Sequence, residues 1–159
     1  MGSVLFTGLR LKFRNNSPKA EYDLKPNETI WENWAPKFHE VENLVQSLGV
    51  IGEEYCVEKL KALNYKIIAR NYRIKQLELD IVAQQGKVLI FIEVKTRAAN
   101  SYNEELTALT YSKKKKIGKA IKSYIYKTKY EGIFRFDYME VNYNENSEWR
   151  YRHWKQIKI

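Results

Sequence analysis

Apolar positions recur at helical spacing over residues 51–63, where Glu53, Cys56, Val57 and Leu60 fall at i, i+3, i+4 and i+7 and share one face. A carboxylate on such a stripe is out of place unless it points at a site, so Glu53 is preferred to its off-face neighbour Glu54. Asn64 and Tyr65 end this helix. Residues 66–74, carrying Ile67, Ile68, Tyr72 and Ile74, read as a first strand, and 77–84 (LELDIVAQ) alternates strongly as a second. A tight turn at Gln85–Gly86 leads into 87–96 (KVLIFIEVKT), apolar on both faces, which is the pattern of a central strand covered by helices. The segment 100–109 reads as loop or short helix. A second long helix is predicted over 112–129, with Ile117, Ala120, Ile121, Tyr124 and Ile125 on its buried stripe. Residues 133–143 and 149–158 are two more strands, joined as a hairpin by the polar turn 144–148.

The order αβββαββ predicts an α/β domain with a mixed sheet. All three prolines (Pro18, Pro26 and Pro36) precede residue 50, and patterning there is weak. The chain therefore divides into an N-terminal extension, 1–50, and an α/β domain, 51–159. In the extension Trp31, Trp34 and Phe38 stand at i, i+3 and i+7 and suggest an amphipathic helical turn. Its role is either to pack on the domain as an extra layer or to anchor a partner. Near the other end Trp149, Tyr151 and Trp154 alternate with Arg150, Arg152 and His153. That is a half-buried edge strand or a surface on which bases stack.

Composition adds the class of partner. The chain carries 28 Lys plus Arg against 19 Asp plus Glu, a net charge of +9 over 159 residues, which favours a polyanion. Lys113, Lys114, Lys115, Lys116 and Lys119, with Lys122, Lys127 and Lys129, crowd one predicted helix that holds no acid. Such a face repels itself unless something anionic sits nearby, so these lysines are candidates for phosphate contacts. A single cysteine, Cys56, cannot close an intramolecular disulfide. No stretch approaches the roughly 20 apolar residues of a membrane span, and the first residues lack a secretory pattern. The expectation is a cytoplasmic protein without a membrane partner.

The candidate chemistry lies on the second and third strands. Residues two apart share a face, so Glu93 and Lys95 go together with Leu89 and Phe91, and Asp80 goes with Glu78. A short antiparallel turn with a modest register offset brings Asp80 and Glu93 within reach of one cation. Ionised residues following the apolar run LIFI are costly there without a partner. Mg²⁺, with Mn²⁺ as its usual substitute, takes hard oxygen ligands, and Asp80, Glu93 and the carbonyl of Val94 meet that demand. Lys95 beside them suits positioning or activating a water and offsetting charge at phosphorus. Glu53 completes the set, and Glu78 stands behind it.

These residues also carry a resemblance. The runs GEEYCVEKLKALNYKIIARNYR, LELDIVA, LIFIEVKTR, ALTYSKKKKI and RFDYMEV resemble the YraN-type family of the PD-(D/E)XK superfamily, in order and approximate spacing from Gly52 to Val141. Archaeal Holliday-junction resolvases are similar at greater distance. The resemblance implies a restriction-endonuclease-like three-layer fold and a Mg²⁺-dependent endonuclease acting on DNA, branched or flapped DNA in recombination or repair included. It carries the family's acids onto Glu53, Glu78, Asp80 and Glu93, its lysine onto Lys95, and its basic residues onto Arg97 and Lys113. Resolvases work as two-fold dimers, which makes a homodimer one expectation. The alternative is a non-catalytic nucleic-acid-binding module on the same fold. The family's glycine before the Glu-x-Asp motif is replaced by Gln76–Leu77, and its Phe-Gly after the third strand by residues 101–103.

Overall fold

The strand that is apolar on both faces lies in the middle of the sheet. In the computed structural model, residues 32–34, 44–98 and 109–159 are described. They form β1 (Glu32–Asn33), α1 (Leu44–Ala62), β2 (Lys66–Ile74), β3 (Leu77–Gln85), β4 (Val88–Ala98), α2 (Tyr111–Thr128), β5 (Ile133–Tyr143) and β6 (Glu148–Trp154). The six-stranded sheet runs β1-β6-β5-β4-β3-β2, antiparallel throughout except for the parallel pair β4–β5, which α2 connects. Helices cover both faces. On one side Tyr55, Cys56, Val57 and Leu60 of α1 pack on Ile81, Ile90, Ile92 and Met139. On the other, Ile117, Ala120, Ile121, Tyr124 and Ile125 of α2 pack on Val82, Leu89, Phe91 and Phe136. This is the mixed three-layer α/β architecture expected, and the buried stripe of α2 is the one its periodicity predicts.

Four local details differ from the sequence reading. Helix α1 begins at Leu44, so residue 50 lies within it. Glu32 and Asn33 add a short strand to the edge of β6, so Trp34 follows a strand and not a helical turn; Trp31 and Phe38 lie outside the described residues. Trp34 then packs edge-on against Tyr55 at 5.2 Å and Trp149 at 5.4 Å, and its indole N–H donates to Glu58 at 2.6 Å. Strand β6 stops at Trp154, and Trp149, Tyr151 and Trp154 are all buried. Their rings belong to the core and offer no face to a base. Burial of each such side chain contributes about 1.5–3 kcal/mol, which outweighs any gain from leaving them in water. Most of the predicted loop, residues 99–108, lies outside the described residues, and Leu109 at its end is buried.

One close approach sets the position of α1. A Cβ built on Gly52 would lie 1.9 Å from Thr96 Oγ1, so only glycine lets the helix rest on β4 there. The next residue is Glu53. Glycine is thus what brings that carboxylate down to the sheet.

Candidate active site

The β3–β4 hairpin turns at Gly86–Lys87, one residue later than the sequence suggested, with Gln85 paired to Val88 and Gly86 at φ 57°. The ladder then runs outward to Ile81 opposite Ile92 and stops. The next positions outward are Asp80 and Glu93, so no register offset is needed to oppose them. Where the backbone ladder ends, the Asp80 side chain takes over: the Val94 N–H donates to Asp80 Oδ2 at 2.8 Å.

The strict alternation expected for β3 breaks at the same place. Leu79 and Val82 both pack on the α2 side, whereas Ile81 and Ala83 pack on the α1 side. Pairing with β2 passes from Arg70–Ile81 to Tyr72–Leu79 and skips Asn71 and Asp80. Asn71 is left-handed at φ 47°, a conformation asparagine tolerates better than most residues. Both strands therefore pivot at this pair. Asp80 sits half-buried at this pivot, within electrostatic reach of Glu53 and Cys56 of α1, and Glu78 likewise acts on Glu53. Asn71 was not singled out from the sequence, yet from the pivot it acts on Glu53 of α1 and opposes the rise of its pKa.

Like charges are concentrated here. The Asp80 carboxyl is pushed up to about 7, first by burial and then by the neighbouring Glu93; Glu53 adds to this, while the Val94 amide and Lys113 oppose it. Glu53 is likewise raised, chiefly by burial, with Glu78 and Glu93 contributing and Asn71 and Arg70 opposing. Glu93 is buried. Four acids named from the sequence are therefore in one electrostatic neighbourhood: Glu53, Asp80 and Glu93 closest, and Glu78, exposed, behind Glu53.

The cations are distributed differently from the expectation. Lys95 lies two residues beyond Glu93 on its face and is exposed, beside Glu140 of β5. The ammonium that reaches Glu93 comes from α2: Lys113 Nζ forms an ion pair with Glu93 Oε1. Lys113 is placed by the helix cap, since its backbone N–H donates to the Thr110 hydroxyl at 3.2 Å. Arg97 pairs with the buried Glu140 at 3.1 Å. Lys115, Lys116 and Lys119 are exposed and Lys114 half-exposed along α2. The first turn of α2, with the partial positive charge of a helix N-terminus, reaches the acids through Lys113.

Among the described residues no three His, Cys, Asp or Glu side chains stand close enough to hold a metal by themselves. Two opposed carboxylates whose repulsion is only partly relieved by one amide and one lysine do fit a hard divalent cation. Such an ion commonly takes one or two protein carboxylates and fills its shell with water or phosphate.

A family described as "Uncharacterised protein family UPF0102" matches residues 52–141, from the glycine that seats α1 to near the end of β5. The chain belongs to the UPF0102 family. This is the YraN-type family that the motifs resemble. Among its relatives, a UPF0102 protein of Caldicellulosiruptor saccharolyticus is 36% identical over 104 residues, covering 65% of this chain and 88% of its own. One from Geobacter metallireducens is 37% identical over 100 residues, covering 62% and 82%. One from Chlorobaculum tepidum is 43% identical over 83 residues, covering 52% and 64%. The matched segment of the UPF0102 chain contains Glu53, Asp80, Glu93, Lys95 and Lys113. Among the described residues no helix is long and apolar enough to cross a membrane.

Proposed function

We propose that this UPF0102 protein is a Mg²⁺-dependent endonuclease of the PD-(D/E)XK type, hydrolysing phosphodiester bonds of DNA. The observation that carries the reading is the end of the β3–β4 ladder, where Asp80 and Glu93 oppose each other on either side of the Val94 amide. Asp80 and Glu93, with the Val94 carbonyl, are the groups that would hold Mg²⁺ or Mn²⁺. When bound, the ion supplies charge stabilisation at a phosphate and lowers the pKa of a water.

The chain's own residues account for the rest. Glu53, already raised and close to the pair, accepts or holds a proton at the edge of the site. Lys95, exposed beside Glu93, is free to orient the attacking water and to donate to a phosphoryl oxygen. Glu78 supports Glu53 from behind. Lys113 has the further task of balancing Glu93 before a substrate arrives. Arg97 and Lys114, Lys115, Lys116 and Lys119 hold the phosphate backbone, which positions DNA without reading its sequence.

The test is cleavage of a labelled panel (single strand, duplex, flap and four-way junction) with Mg²⁺ or Mn²⁺, wild type beside Asp80→Ala and Lys95→Ala. Metal-dependent cutting that both variants lose while still binding DNA is the expected result. Salt-sensitive binding without cutting of any substrate would leave a binding module in its place.

A further inference from the structure

The outward face of α2 carries more than lysine. Tyr111, Lys115, Lys119, Lys122 and Tyr126 stand at i, i+4, i+8, i+11 and i+15, one stripe on the side away from the sheet. All five are exposed, and the two tyrosines are left 82% and 83% in water. Rings so exposed are not needed by this helix, whose apolar side is already filled by Ile117, Ala120, Ile121, Tyr124 and Ile125. No acid lies on α2 to balance the three lysines between them. At the α-helical rise the tyrosines are about 22 Å apart along the axis.

We infer that this stripe is a docking track for an unpaired nucleic-acid strand, with Tyr111 and Tyr126 stacking on bases and Lys115, Lys119 and Lys122 neutralising the phosphates between. The inference rests on the proposed nuclease reading and deepens it, by naming a single-stranded segment of the substrate as what the protein grips. Charge complementarity selects a polyanion. The tyrosines select one with exposed π-faces, because a paired base inside a duplex offers none, whereas a free strand stacks on aromatics whatever its sequence. The track also begins at the site, since Lys113, in the same first turn as Tyr111, is the residue that reaches Glu93. An anionic bilayer is a poorer match. An interfacial helix buries an apolar face in lipid, and the apolar face of α2 is against the sheet.

The experiment is fluorescence anisotropy of a labelled oligonucleotide, single-stranded or as a blunt duplex, with the full chain and a chelator present. Tyr111→Ala/Tyr126→Ala is expected to lose at least tenfold in affinity for the single strand and to bind the duplex as wild type does. Tyr111→Phe/Tyr126→Phe, which keeps both rings, restores single-strand binding. Lys115→Gln/Lys119→Gln/Lys122→Gln weakens both complexes and lowers the single-strand salt slope by about 2. Wild-type single-strand affinity in the alanine pair would overturn the track, as would binding to phosphatidylserine vesicles in place of either oligonucleotide. The chelator lets binding be read apart from cutting, and the cleavage panel with Mg²⁺ or Mn²⁺ reads cutting separately, so the two readings fail independently. Tyrosine-dependent binding by a protein that cuts nothing keeps the track and removes the nuclease. Cutting with tyrosine-independent binding does the reverse.

Discussion

The amide of Val94 donates to the carboxylate of Asp80 at 2.8 Å, one position beyond the last backbone pair between β3 and β4. A side chain thus closes a ladder that the main chain leaves open. The same bond holds Asp80 against Glu93, whose charge it would otherwise avoid.

That arrangement has a pH signature. The unfolded chain ionises the Asp80 carboxyl near 3.8, and the folded protein does so at about 7, chiefly because of burial and then Glu93. Between those values the folded state holds the extra proton, so the stability of the metal-free protein declines as pH rises through the window and levels off above about 7. Asp80→Asn removes the cost. In urea titrations with a chelator, the variant should be more stable than wild type above about pH 7 and equal to it near 3.8. A wild-type midpoint that does not change across the window would contradict this account.

Glu93 and Lys113 act on Asp80 in opposite directions. Glu93→Gln should bring the Asp80 pKa down, and Lys113→Met should move it further up, both readable by carboxyl NMR titration. Mg²⁺ should raise the melting temperature of wild type, since a ligand at a hundredfold excess over its Kd adds about 2.7 kcal/mol. It should leave Asp80→Asn and Glu93→Gln nearly unmoved.

Gly52 is the second point of leverage. An alanine Cβ would meet Thr96 Oγ1 at 1.9 Å, so Gly52→Ala must lift α1 from β4. Overpacking of this kind costs about 1–3 kcal/mol, and displacement of Glu53 should lower activity beyond the loss of folded protein. Thr96→Ala takes away the opposing hydroxyl. Combined with Gly52→Ala it should recover part of the stability, a coupling that a double-mutant cycle measures.

Away from the acids, a buried polar network joins β5 to β6. Asp137, fully buried, accepts from Arg135 Nε at 2.9 Å and from the Gln156 amide at 2.8 Å, and meets His153 Nε2 at 3.0 Å; Arg135 also reaches the Tyr65 hydroxyl at 3.0 Å. Burial alone would raise the Asp137 pKa, but His153, Arg135 and Gln156 together hold it below 3.8. Its contribution to stability is therefore complete above that value and fades as pH falls through the lower, folded pKa. Asp137→Ala leaves the buried His153 and the half-buried Arg135 guanidinium without their shared partner and should cost about 1–3 kcal/mol in urea unfolding. The protein that remains folded should keep its specific activity, because none of these groups belongs to the acid cluster.

Much of this was legible in the chain and some was not, for a physical reason. Periodicity is local, and it was enough for the type and order of α1, β2–β6 and α2, for the central place of β4 and for the buried stripe of α2. It also marked Glu53, Asp80 and Glu93, because a carboxylate within an apolar pattern is conspicuous wherever the strand goes. Tertiary structure alone decided the pivot at Asn71 and Asp80, since a break in alternation shows only when two strands are paired. It decided that Lys113 and not Lys95 reaches Glu93, because that depends on where the cap of α2 falls over the sheet. It buried Trp149 and Tyr151 in the cluster that Trp34 joins and Trp154 against Tyr138 on the other face, although their alternation with arginines reads equally well as an edge. Contacts between residues far apart in sequence carry no period, and they are what turned a list of acids into a site.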